Sequence, residues 1–116
     1  MDRQQRLNRK FNYIQNLYNI AFEDISDELI TQSQAYLNFE LVDDIESLIK
    51  IDQEIHWLKK RVKQVYNTNK DLLDESRDLF HRLSLVHKAI YETMRTEYNI
   101  TSCCENEQGR LEYVKC

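Results

Sequence analysis

From Leu48 onward an apolar side chain returns every three or four residues without losing step: Leu48, Ile51, Ile55, Leu58, Val62, Val65, Asn69, Leu72, Ser76, Leu79, Leu83, Val86 and Ile90, with only Asn69 and Ser76 polar. Alternating threes and fours give the a and d positions of a coiled coil when Leu48 is set as a. Such a strip has to pack along another helix, because on a straight helix it drifts off the contact face. Little else in the chain competes with helix. It has one glycine, Gly109, and no proline, so the residues that tight turns and hairpins rely on are nearly missing and sheet architectures are disfavoured. Charged residues at 31%, apolar residues at 41% and a mean hydropathy of -0.70 are the balance of amphipathic helices.

A chain of 116 residues closes one core. The expected fold is all-α, a helical bundle or coiled coil with one long heptad-patterned helix over about 44–98 and one or two amphipathic helices before it. Residues 1–98 form the helical domain in this reading, and 99–116, which lack a sustained period, form a flexible tail.

In the first segment Leu7, Phe11, Ile14, Tyr18, Ala21 and Ile25 recur at helical spacing, and Leu17 and Phe22 widen the stripe. Its start is basic (Arg3, Arg6, Arg9, Lys10) and its end acidic (Glu23, Asp24). Both ends oppose the helix dipole, so packing rather than local electrostatics must hold this helix. The stripe falters near 25–28, where Ser26 or Asp27 is placed to cap a new helix through Ile30, Leu37 and Leu41. Asp43-Asp44-Ile45-Glu46 then has the D-x-x-E form of a capping box opening the long helix.

An unbroken helix over 44–98 is roughly 80 Å long, more than a compact domain encloses. The alternative is a compact three- or four-helix bundle with a turn near 66–69, where Thr68 and Asp71 have capping-box spacing. The absence of glycine and proline there, and the heptad register that continues across it, favour the continuous helix. Asn69 then occupies an a position and needs a polar partner across the seam. A second row at e positions, Tyr66, Leu73, Phe80 and Met94, allows the C-terminal half to meet two neighbours.

Chemistry-bearing motifs are missing in any specific form. There is no Gly-rich phosphate loop, H-E-x-x-H, C-x-x-C or nucleophile elbow, so no catalytic residue, small-molecule substrate or cofactor is expected. Asp78 and His81 form one D-x-x-H, but the second copy that a di-iron bundle requires is absent. Cys103, Cys104 and Cys116 supply three thiols where structural zinc takes four ligands, so they are read as free thiols of the tail. The cluster Lys59, Lys60, Arg61 and Lys63 lies mostly off the seam, and the net charge of -4 argues against a protein whose main work is holding phosphates. Trp57 is an interface anchor in this reading. No run approaches a transmembrane length, no secretion signal opens the chain, and the cysteine number is odd. A cytoplasmic or nuclear location is expected.

The function expected from the sequence is that of a non-catalytic coiled-coil subunit mediating protein–protein assembly in a larger complex, a tether, scaffold or attachment complex. Its partners are other helical proteins or a second copy of the chain, and the binding residues are those of the Leu48 to Ile90 seam. A compact helical bundle that binds nucleic acid through its basic clusters is the alternative.

Overall fold

In the computed structural model, which describes residues 2–35 and 41–115, four α-helices are followed by a β-hairpin: α1 (Arg3–Ala21), α2 (Asp27–Ser33), α3 (Ile45–Thr68), α4 (Leu73–Tyr98), β1 (Ile100–Glu105) and β2 (Leu111–Lys115). The class is mostly helical, as the periodicity implies. Each helix starts on a side-chain cap or a tight turn. Asp2 accepts from the Gln5 N–H, and Ser26 from the Leu29 N–H. At α3 the capping box pairs Asp44 with Ser47, one residue later than the Asp43/Glu46 spacing suggested. Leu41 is exposed and precedes α3 rather than extending α2, while Leu37 lies outside the described residues.

The continuous 44–98 helix is not what forms. Helix α3 ends at Thr68, Asn69 is extended (φ -125°, ψ 102°), and a single 3₁₀ turn, Lys70–Leu72, leads into α4. The turn uses side chains in place of glycine or proline. Asn69 Oδ1 accepts from the Asp71 N–H at 3.1 Å, and its Nδ2 donates to Gln32 Oε1 of α2 at 3.0 Å. Asn69 is thus a capping residue and not a polar pair across a seam. Elsewhere Asp24, Gln34 and Asn99 take left-handed conformations at helix ends, again without glycine.

Beyond the turn α4 runs back along α3. Tyr66 meets Phe80 edge to face at 6.0 Å, Lys59 Nζ lies 5.0 Å from the Phe80 ring centre, and Asp52 reaches His87 at 3.2 Å, so the helices are antiparallel. The seam folds onto itself. Leu48, Ile51, Ile55, Leu58, Val62, Val65, Leu72, Leu79, Leu83, Val86 and Ile90 are all buried inside the chain, each contributing about 2 kcal/mol by leaving water. Ser76 is buried too, its hydroxyl donating to the Leu72 carbonyl at 2.6 Å. The expectation that these residues and Asn69 bind a partner is corrected accordingly, since the partner of the seam is the other half of the seam. Unbroken register across residues 66–72 carried no information about continuity, because this turn happens to bring α4 back with its a/d face inward.

Helix α1 packs antiparallel on α4 and inserts Leu7, Phe11, Ile14 and Tyr18 into the same core. The return segment is tied down where Gln15 Oε1 accepts from the Val42 N–H at 2.8 Å. Arg61 closes the end of α2 by donating to the Ser33 carbonyl at 2.7 Å. The result measures 48 × 32 × 19 Å. Residues 100–115, read from sequence as a tail, pair instead as an antiparallel hairpin with Cys103 opposite Tyr113. Its turn is built by Asn106, whose Oδ1 accepts from the Gln108 and Arg110 N–H groups, and by Gly109 at φ +79°.

Candidate functional site: an outer helix face and a buried polar cluster

Two features lie outside the core logic of the seam. The first is the outer face of α1 and α4. On α1 the residues Arg6, Lys10, Tyr13, Leu17 and Ile20 repeat at steps of four and three, a second stripe beside the core one, and Asp24 follows just beyond the helix end. Its middle is apolar and exposed. Tyr13 is 60% exposed, Ile20 50%, and Leu85 of the neighbouring α4 46%. Two adjoining depressions of about 200 and 240 Å³ share Tyr13, Ala89 and Glu92, and Leu17 and Leu85 line the larger.

At one end of this face the basic start of α1 finds its explanation. Because α1 and α4 are antiparallel, Arg3, Arg6 and Lys10 stand beside the negative end of α4. Arg3 donates to the Glu97 carbonyl at 3.0 Å, and Arg6 binds the Glu97 carboxylate through two nitrogens at 2.6 and 2.9 Å. Lys10 adds bonds to Glu97 and to the Thr96 hydroxyl. The Glu97 side chain is only 4% exposed, and its hydrogen bonds to Arg6 and Lys10 hold its carboxyl down to about 2.

The second feature sits under the hairpin. Asp52, at an e position of α3, is 0% exposed. Its Oδ2 accepts from the Tyr113 hydroxyl at 2.6 Å, and its Oδ1 lies 3.2 Å from His87 Nε2. Burial pushes the Asp52 carboxyl up and the His87 imidazole down. Tyr91 stacks on His87, with ring centres 5.5 Å apart, and donates to the Cys103 carbonyl at 3.2 Å. Around this cluster Gln53 accepts from the Leu111 N–H, Trp57 donates to the Gly109 carbonyl at 2.8 Å, and Glu105 pairs with His56 and Lys60. The hairpin is therefore held to α3 and α4 largely by polar contacts. A carboxylate and an imidazole side by side suit proton transfer, but Asp52 is sealed from solvent. Cys103 is half-buried, and burial raises its thiol, opposite to the activation a nucleophile needs. The arrangement acts as a clamp.

The other sequence candidates fall as follows. Asp78 is salt-bridged to Arg82 at 2.9 Å, and Asp78 and His81 are both exposed. No group of three or more His, Cys, Asp or Glu side chains suited to a metal ion occurs among the described residues. Cys104 is exposed, and Cys116 lies outside the described residues. In the basic cluster Lys59 lies over Phe80, Lys60 pairs with Glu105 and Arg61 holds Ser33. Sequence reasoning missed Asp52 and His87, although both extend the e row of Tyr66, Leu73, Phe80 and Met94 by sevens. It also missed the outer face, whose signal was the second α1 stripe. No helix among the described residues is long and apolar enough to cross a membrane. Comparison of the chain with protein-family models, with curated proteins and with solved structures returns no match.

Proposed function

We propose that this protein is a non-catalytic helical subunit that works by protein–protein contact within a larger assembly, and that its contact surface is the outer face of α1 and α4 rather than the seam. The observation that carries this is the exposure of Tyr13 and Leu85 on a shared groove, with Ile20 exposed two turns along the same α1 stripe from Tyr13. Apolar side chains scattered singly are ordinary, but a contiguous patch with a polar rim is the usual form of an interaction site. The nucleic-acid alternative is less well supported, because three of the four residues in its main basic cluster already have partners within the chain.

A photo-reactive amino acid placed at Tyr13 or Leu85 in cells tests this reading. Discrete cross-linked products are expected from these two sites and not from Gln64, an exposed position on α3. Equal cross-linking from all three sites, or none from any, would remove the support for this surface.

A further inference from the structure

We infer that the outer face of α1 and α4 pairs with the same face of a second copy of this chain, the two copies lying antiparallel. This inference rests on the proposed contact function and names its partner. The argument is the distribution of charge along the face. At the end where α1 begins stand Arg9 and Arg95, both exposed, together with the Arg6, Lys10 and Glu97 group, whose net charge is positive. At the opposite end stand Glu23 and Asp24, both exposed, and neither they nor Arg9 has an ion pair among the described residues. Between the two ends lie Tyr13, Leu17, Ile20 and Leu85, with one charge of each sign, Lys88 and Glu92 of α4, beside them on the groove.

A basic, apolar, acidic sequence along one face is complementary to itself under a two-fold axis perpendicular to the helices. That operation lays Tyr13 and Ile20 of one copy against Ile20 and Tyr13 of the other, and brings Arg9 and Arg95 to Glu23 and Asp24. A parallel arrangement sets basic end on basic end. A partner helix of uniform charge satisfies one end and is repelled at the other. Of these three arrangements, the antiparallel copy is the one that answers both ends of the face. Glu23 and Asp24 also oppose the dipole of their own helix. Inside the chain Arg82 reaches this end, donating to the Glu23 carbonyl at 3.0 Å, but it is already paired with Asp78 and leaves the two carboxylates without an ion pair among the described residues.

Sedimentation of the full chain over a wide concentration range reads this directly. Wild type is expected to move from 14.1 kDa to twice that mass as concentration rises, with weaker association at high salt. Leu85→Glu should remain monomeric with an unchanged helical circular dichroism spectrum. Arg9→Glu should weaken the dimer about tenfold, since the two-fold axis duplicates each lost pair, and Glu23→Arg added to it should restore most of that loss. A wild type that stays monomeric throughout, or a dimer indifferent to Leu85→Glu, overturns the inference. Cross-linking of Leu85 to a different protein by a monomeric wild type also overturns it, while leaving the contact function standing.

Discussion

Removing one hydroxyl, in Tyr113→Phe, tests whether the buried cluster clamps the hairpin. The Tyr113 hydroxyl donates at 2.6 Å to Oδ2 of Asp52, a carboxylate with 0% exposure whose other oxygen has no well-aligned donor. Phenylalanine fills the same space but leaves that oxygen buried with nothing to accept from. Orphaning a buried acceptor of this kind costs about 2 kcal/mol, which for a domain of this size lowers the melting temperature by about 8 °C. The loss need not fall evenly. Because the hairpin is tied down mainly by polar contacts, it is expected to open before the helices do, so amide exchange in residues 100–115 should accelerate more than global urea denaturation indicates. Asp52→Leu provides the control, because with no carboxylate to orphan, adding Tyr113→Phe should cost much less than it does alone. Tyr113→Phe with neither a stability loss nor faster hairpin exchange would refute the clamp.

Two further outcomes follow from the turn and from the α1 and α4 junction. Asn69→Ile removes the cap on Asp71 and the bond to Gln32 while keeping a backbone that a β-branched residue accepts, so urea denaturation should show a loss of about 1 kcal/mol; a gain in stability would mean a continuous seam instead. Glu97 is held down from the usual 4.5 to about 2, so its contribution is present above 4.5 and is lost as pH falls through 2. Acid titration of Glu97→Gln should lack that component, and an unchanged profile would show that the Arg6 and Lys10 contacts do not persist in solution.

The helices were legible because their apolar residues sit at a period that backbone geometry imposes, and the caps at Ser26 and near Asp44 because few side chains satisfy free N–H groups at a helix start. The turn at Asn69 was hidden by its chemistry. It relies on an extended asparagine and a 3₁₀ turn, and it leaves the phase of the heptads intact. The hairpin was hidden because its strands lack a clean alternation of apolar and polar residues, with Ile100 and Tyr113 packed on the core while Val114 is exposed, and because its turn depends on Asn106 as much as on Gly109. Asp52 was invisible as a core residue for the ordinary reason that a carboxylate predicts exposure. Only its placement in the e row, facing His87 across an antiparallel pair, makes its burial intelligible.

Everything proposed about the outer face depends on the seam being closed within one chain, and an intrachain distance measures that. Spin labels at Glu46 and Arg95, with Cys103, Cys104 and Cys116 replaced by serine and labelled chains diluted in unlabelled protein, report the separation by pulsed dipolar spectroscopy. Both positions are exposed, one at the start of α3 and the other near the end of α4. Helices folded back at ordinary packing distance, with two label tethers, place the spins about 25 Å apart. A continuous helix separates them by roughly 75 Å, and a distribution centred there would contradict the account.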